Sequence, residues 1–200
     1  MHVRWRGLEL PARVVLDEQS STDMFGQFVI EPFERGFGTT IGNSLRRVLL
    51  SSIEGTAITR VRIKGVDHEF TTISGVMEDV TDIILNVKGI IVSLDSDEEK
   101  VMRLSAKGPG EVTADLIEAD PSVKIHNPDL IIATLTDAVD FEMEMVVSRG
   151  RGYQTASEKH LRSSEDQVIG EIPIDSLYSP VRRVRYRVED TRVGQQTNYD

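Results

Sequence analysis

Apolar residues recur along the 200-residue chain with two different periods, one typical of helices and one typical of strands. The helical period first occurs at about 38–52, where successive residues turn by roughly 100°. The apolar side chains on one side of that helix are Ile41, Leu45, Val48 and Leu49. This stripe has the ordinary width for core packing, whereas Leu50 falls on the opposite side, beside Arg46 and Arg47. The second apolar position indicates a helix that also contacts another protein.

A second amphipathic helix is predicted at about 76–88. Its apolar stripe consists of Val76, Val80, Ile83, Ile84 and Val87. Glu78 and Asp79 in the first turn and Lys88 in the last turn complement the helix dipole, and Gly89 is a typical stop. The pattern therefore predicts a helix with one buried face.

Alternation of apolar and polar residues predicts most of the other elements as strands. The clearest alternation covers 56–66 and 139–147. Shorter strands are predicted at 25–33, 90–94, 101–104, 130–135, 170–174 and 181–188. The strands at 90–94 and 101–104 are expected to pair as a hairpin around an acidic turn.

Two other segments complete the predicted organisation. Gly55 is expected to cap the C-terminus of the first helix, and residues 148–170 are expected to form a long polar loop. Because strands dominate and do not alternate with helices, the predicted fold class is α+β, with mostly antiparallel sheets and two main helices.

Composition narrows the functional classes. The chain has no run of about 18 apolar residues, so no transmembrane helix is expected. The absence of cysteine excludes disulfides and thiolate metal sites and fits a cytoplasmic protein. A net charge of −10 disfavours a broad nucleic-acid-binding face, which usually carries a strong basic excess.

No motif for catalysis or for a cofactor is found in the sequence. Gly36, Gly38 and Gly42 precede a helix, but the third glycine comes one residue too late for a dinucleotide fingerprint and no Gly-Lys-Ser/Thr follows. We interpret these glycines as an entry that lets the helix pack closely. The four histidines lack any paired ligand spacing, and no serine lies in a nucleophile elbow. The sequence thus predicts no catalytic residue, no cofactor and no metal.

Exposed arginines and leucines are the remaining candidates for function. Leu85 lies opposite the apolar stripe of the second helix, as Leu50 does on the first. Arg183, Arg185 and Arg187 alternate with apolar residues on the last predicted strand. These arginines are either a solvated strand face or a docking surface for an acidic partner, and the residues alone leave both interpretations open.

The segment 34–52, ERGFGTTIGNSLRRVLLSS, closely resembles the signature helix of the N-terminal domain of bacterial RNA polymerase alpha subunits. The resemblance continues through 61–90, 149–153 and 164–200, and is loosest at 95–140. It implies a dimerisation and assembly domain formed by 1–54 with 173–200, incomplete at its C-terminus. A second domain, 55–172, is then inserted into the first.

The same resemblance implies a function without catalysis. Family members dimerise and recruit the beta and beta-prime subunits, which carry the nucleotidyl-transfer site of the DNA-directed RNA polymerase. The chain is then a cytoplasmic assembly scaffold for transcription, without direct contact to nucleic acid or membrane. The alternative is a free-standing α+β module that binds an unrelated protein or peptide.

The family motif also implies roles for particular residues. The implied contacts are the beta subunit at Arg46, Arg47 and Leu50, the second alpha subunit at Phe37, Ile41 and Leu45, and a further large-subunit surface at Leu85, Arg183, Arg185 and Arg187. Family members continue past 198–200 into another strand, a long helix, a linker and a DNA-binding domain. The chain is therefore expected to be a shortened form, whose dimer is weak without that helix.

Overall fold

The computed structural model describes residues 11–158, 170–193 and 196–199. The chain divides into two compact units, with bounds Met1–Leu49 with Arg183–Asp200 and Leu50–Arg182. In chain order the elements are β1 (Val14–Leu16), β2 (Phe28–Ile30), α1 (Phe37–Ser51), β3 (Glu54–Ile63), α2 (Val80–Lys88), β4 (Val92–Leu94), β5 (Lys100–Lys107), β6 (Gly110–Thr113), a 3₁₀ helix (Ala114–Leu116), β7 (Ile117–Glu118), β8 (Val123–Ile125), β9 (Ile131–Leu135), β10 (Asp140–Arg151), β11 (Tyr153–Gln154), β12 (Glu171–Pro173), β13 (Ser176–Leu177), β14 (Thr191–Val193) and β15 (Gln196–Tyr199).

The first unit contains α1 up to Leu49 and two antiparallel hairpins, β1–β2 and β14–β15, while the last two residues of α1 belong to the second unit. The hydroxyl of Thr191 donates a hydrogen bond of 2.9 Å to the carboxylate of Glu31, which ties the second hairpin to the end of β2. The buried apolar core of the described residues lies in the other unit.

The second unit is built on a five-stranded antiparallel sheet with the order β12-β3-β10-β5-β7. Alternation explains its two faces, because successive side chains of a strand point to opposite sides. The residues of β3 and β10 on the buried face are Thr59, Val61, Ile63, Phe141, Met143, Met145 and Val147. The predicted α+β class and the two clearest strands are confirmed.

The opposite face of this sheet is charged and exposed. Cross-strand ion pairs join Lys64 to Glu142 at 2.7 Å and Arg103 to Glu144 at 3.1 Å. Exposed pairs of this kind each contribute little to stability. The carboxylates of Glu142 and Glu144 therefore belong to a solvated strand face.

Helix α2 buries Val80, Ile83, Ile84 and Val87, as predicted. It begins at Val80, later than the predicted residue 76. Asp79 is its N-cap and accepts a hydrogen bond of 2.8 Å from the backbone N–H of Asp82. Glu78 accepts hydrogen bonds from the backbone and the hydroxyl of Thr134 on β9, so the preceding residues are held by a strand and cannot join the helix.

The predicted hairpin between 90–94 and 101–104 is wrong. β4 pairs with β8, whereas β5 pairs with β10 and β7. Local alternation shows that a strand has a buried face, but the partner of that strand is decided by packing between residues far apart in the chain.

Three other predictions also need correction. Gly55 is a strand residue paired with Gly150, so it does not cap α1. Part of the predicted loop 148–170 is ordered as the end of β10 and as β11, while 159–169 lie outside the described residues. Residues 181–188 form neither strand nor helix, and the ring of Tyr186 in this segment packs against Gly42 of α1.

Helix α1, with 15 residues, is the longest helix in the part of the chain that is described. Within that part, no helix has both the length and the apolar character that a membrane crossing requires.

Truncation of Ile83 should destabilise the second unit strongly, because its side chain is fully buried on the inner face of α2. Ile83→Ala should lower the free energy of unfolding by about 2–5 kcal/mol. The matched control is Leu85→Ala on the same helix, where the side chain is 58% exposed and the loss should stay below about 0.5 kcal/mol. Urea denaturation followed by circular dichroism measures both, and equal losses would show that the buried face of α2 is wrongly assigned.

Candidate functional site

The apolar stripe of α1 is not packed into a core formed by the described residues. No residue of the helix is buried, and Phe37, Leu45 and Val48 are 46%, 41% and 52% exposed. The interpretation of this stripe as core-facing is therefore wrong. A stripe of this width shows only that a helix face suits an apolar neighbour, which can belong to another chain.

Gly36 and Gly42 shape the contacts of this helix within its own unit. Gly36 has a φ of +87°, a backbone conformation that favours glycine, just before the helix begins. A Cβ added to Gly42 would lie 2.5–2.9 Å from the ring of Tyr186. The interpretation of the glycines as an entry for close packing is thus confirmed at Gly42, with the Tyr186 ring as its neighbour.

Tyr186 contacts α1 at Gly42, at the edge of the apolar stripe. Leu45 lies three residues after Gly42 and Leu49 seven residues after it, so both lie on the same side of the helix as Gly42. Ile41 and Leu49 are half-buried, whereas Leu45 and Val48 remain exposed. The stripe is consequently covered in part and exposed in part.

The second candidate surface on α1 consists of Arg46, Arg47 and Leu50. Both arginines are exposed and Leu50 is half-buried. Leu50 lies three residues after Arg47 and four after Arg46, spacings that place side chains side by side on one helix face. The structure therefore brings together the three residues that the sequence singled out.

Leu85 is exposed on α2, on the side away from the sheet. One turn further along the same helix, the ammonium of Lys88 lies 3.4 Å from the carboxylate of Asp175. Asp175 directly precedes β13 in the sequence, so the exposed side of α2 is tied to this short strand.

The β11–β13 pair adds two exposed apolar side chains near this ion pair. Tyr153 and Leu177 are cross-strand partners, and both are more than half exposed. The backbone N–H of Ala156 donates a hydrogen bond of 2.8 Å to Asp175 and, with the charge of Lys88, holds the pKa of this carboxyl below its ordinary value. We call Leu85, Lys88, Asp175, Tyr153 and Leu177 the α2–β13 surface.

Sequence reasoning missed four members of the α2–β13 surface. Tyr153 lay in a predicted loop, and Leu177 lay between two predicted strands. Only Leu85 could be recognised from the sequence as a candidate contact residue, because it is an apolar residue on the polar side of an amphipathic helix. The contact between Lys88 and Asp175 joins distant parts of the chain, which no local pattern reveals.

Arg183, Arg185 and Arg187 are exposed in the first unit, whereas Leu85 belongs to the second. The guanidinium of Arg187 pairs with the carboxylate of Glu189. The three arginines are not presented by a strand, so their alternation does not define one flat face.

Within the described ranges, no group of three or more histidine or acidic side chains is placed so that it could hold a metal ion. The candidate surfaces described above consist mainly of exposed apolar and arginine side chains.

Comparison with known families agrees with this type of site. Residues 61–179, more than half of the chain, match the family described as the RNA polymerase Rpb3/RpoA insert domain. The chain belongs to this family. The matched residues of the insert domain lie entirely within the second unit.

Similar proteins from several bacteria extend the likeness beyond the insert domain. The DNA-directed RNA polymerase subunit alpha of Rhodopirellula baltica is 56% identical over 200 residues, which are 100% of this chain and 60% of that protein. The subunits alpha of Desulforamulus reducens and Symbiobacterium thermophilum are each 55% identical, over 94% and 97% of this chain and 59% and 60% of their own length. The chain thus spans about 60% of the length of these relatives. The resemblance to the N-terminal domain of alpha subunits is confirmed.

Replacement of Gly42 by alanine should test the contact with Tyr186. The added Cβ would overlap the ring, so Gly42→Ala should destabilise the first unit by about 1–3 kcal/mol. This loss should occur although alanine raises helix propensity by about 1 kcal/mol. The control is the same change in a Tyr186→Ala background, where only the gain in propensity remains. Thermal unfolding compares the two, and stabilisation by Gly42→Ala alone would mean that the ring does not contact α1.

Proposed function

We propose that this chain is a non-catalytic assembly scaffold of bacterial DNA-directed RNA polymerase, which dimerises and recruits the beta and beta-prime subunits. The observation that carries the proposal is the apolar stripe of α1, of which Phe37, Leu45 and Val48 remain exposed in the described chain. Exposed apolar patches on soluble proteins commonly mark contact sites for other proteins. The relatives named above are polymerase subunits alpha, which makes a polymerase the natural context for such contacts.

The two units correspond to two proposed roles. We assign dimerisation and assembly to the first unit and identify the second with the inserted domain. The family match supports this assignment, because 61–179 falls within Leu50–Arg182. The division of the chain at Leu50 and Arg182 is close to the boundaries that the resemblance implies.

On α1, opposite sides of one helix serve two partners in this proposal. The stripe of Phe37, Ile41 and Leu45 faces a second copy of the chain. Arg46, Arg47 and Leu50 face the beta subunit, where arginine and large apolar side chains suit an interface hot spot. Because the two sets point in different directions, both partners can bind at the same time.

The proposed second contact with a large subunit uses Leu85 in the insert domain and Arg183, Arg185 and Arg187 in the first unit. Tyr153 and Leu177 are two further exposed apolar side chains of the α2–β13 surface, which the ion pair between Lys88 and Asp175 connects to the helix that carries Leu85. The arginines suit an acidic partner surface, since they present positive charge without burial.

Leu45→Asp should prevent dimerisation while the chain stays folded. Leu45 is 41% exposed, so the new carboxylate remains hydrated in the monomer and should cost less than about 1 kcal/mol of stability. Its burial without a counter-charge in a dimer interface would cost several kcal/mol. Sedimentation over a concentration series measures the dimer, thermal unfolding measures the fold, and Ser44→Asp on the same helix is the control. An unfolded Leu45→Asp chain, or one that dimerises as the unmodified chain does, would contradict the proposed interface.

Arg47→Ala should weaken binding of the beta subunit without unfolding the chain. At a hot spot the loss is roughly 2 kcal/mol or more in binding, equivalent to about a 30-fold weaker complex. Stability should change by only about 0.5 kcal/mol, as at ordinary surface sites. Titration of purified beta subunit against the variant gives the affinity, and Arg13→Ala, an exposed arginine outside α1, is the matched control. Unchanged affinity for beta, or a large fall in the melting temperature, would remove Arg47 from the proposed surface.

A further inference from the structure

Two glycines face each other near the end of the central sheet. Gly55 of β3 and Gly150 of β10 are cross-strand partners. Glycine in the interior of a strand weakens it, because it has no side chain to pack and loses more conformational freedom on folding. A pair of glycines in the two longest strands is therefore expected to be accompanied by a contact that offsets this loss of stability. We call this pair the glycine slot.

Tyr178 fills the glycine slot and is only 4% exposed. A Cβ added to Gly150 would lie 2.8–2.9 Å from carbon atoms of the tyrosine ring. A Cβ added to Gly55 would overlap the carbonyl oxygen of Tyr178. A side chain at either position would therefore force Tyr178 out of its place.

Hydrogen bonds hold Tyr178 at both its ring and its backbone. Its hydroxyl lies 3.0 Å from that of Ser148, in a hydrogen bond, and its backbone N–H donates to the carbonyl of Gly152 at 2.9 Å. Just before it, the hydroxyl of Ser176 donates to the carbonyl of Ile58 on β3 at 2.8 Å. The segment that ends at Tyr178 is thus bound along β3 over several residues.

The position of this contact in the chain suggests its role. Gly55 lies shortly after the chain enters the second unit at Leu50, and Tyr178 lies shortly before the chain leaves it at Arg182. We propose that Tyr178 acts as a clamp: by filling the glycine slot, it fastens the departing segment of the second unit to the strand by which the chain enters.

The clamp has a mechanical consequence for the residues on either side of it. Leu177 of the α2–β13 surface directly precedes Tyr178, so its position is tied to the closed slot. Ser179 and Pro180, which follow Tyr178, lie at the same place, because Ser179 is buried and a Cβ added to Gly55 would lie 3.5 Å from the ring of Pro180. Release of this segment is therefore coupled, in the proposal, to release of the tyrosine ring. Tyr178 is therefore a positioning residue, which acts on these neighbours without contacting a partner itself.

Limited proteolysis of the full 200-residue chain with trypsin tests the clamp. Arg182 and Arg183 are exposed cleavage positions just beyond Tyr178, and a protease acts on a segment only after it opens locally. Gly150→Ala and Tyr178→Ala should each raise the cleavage rate there by about tenfold or more, because the packed ring is lost. Tyr178→Phe, which keeps the ring, should remain close to the unmodified chain.

Cleavage after Lys64, at the other end of β3, is the internal control in the same digest. A clamp that opens locally leaves the rate at Lys64 unchanged, and the double variant Gly150→Ala with Tyr178→Ala should be cleaved no faster than the single variants. Equal acceleration at Lys64, unchanged cleavage after Arg182 and Arg183, or additive effects in the double variant would each overturn the proposal. If Tyr178→Ala fails to fold, Gly150→Ala decides, and failure of that variant to fold would show that the slot is part of the cooperative core.

Discussion

The antiparallel pairing of β3 with β10 is the interaction on which the rest of the second unit depends. It joins the two longest strands and places Val61, Ile63, Met143 and Met145 on one apolar surface. β12 is added beside β3 and β5 beside β10, so every other strand of the sheet attaches to this pair directly or through one neighbour. Helix α2 in turn needs the apolar surface of the sheet, because a nine-residue helix is marginal without tertiary packing.

The two helices show how the same sequence pattern leads to different structural outcomes. Both carry an apolar stripe of similar width, and burial of that stripe is favourable in either case. On α2 the stripe is covered by the chain itself, with Val80, Ile83 and Val87 fully buried. On α1 no residue is buried, although Tyr186 packs against Gly42. The described part of the chain therefore leaves Phe37, Leu45 and Val48 of this stripe exposed, which is the basis for proposing that a second protein contacts α1.

Sequence reasoning succeeded where structure is determined by local periodicity. Alternation predicts the strands at 56–66 and 139–147, and the helical period predicts the buried face of α2. Both patterns are local and do not depend on which elements pack against them. It failed for the partner of β4 and for Gly55, because pairing and close approach depend on residues such as Tyr178 that are remote in the chain. At the candidate site, the pattern identified Leu50 and Leu85 as apolar residues among polar ones. It could not identify Tyr153 and Leu177, which become neighbours only through the pairing of β11 with β13.

Charge is distributed unevenly between the two units, and this sharpens the proposed division of roles. The first unit holds 10 Lys and Arg against 9 Asp and Glu, a net charge of +1, while the second holds 13 against 24, a net charge of −11. The acidic excess of the chain therefore belongs to the unit that contains the insert domain. Arg46 and Arg47 belong to the nearly neutral unit. A net charge of +1 is nevertheless too small for a face that binds nucleic acid through its phosphates, which requires a strong basic excess. Contact with acidic groups of a protein, formed by a few arginines beside apolar side chains, is the recognition that this distribution favours.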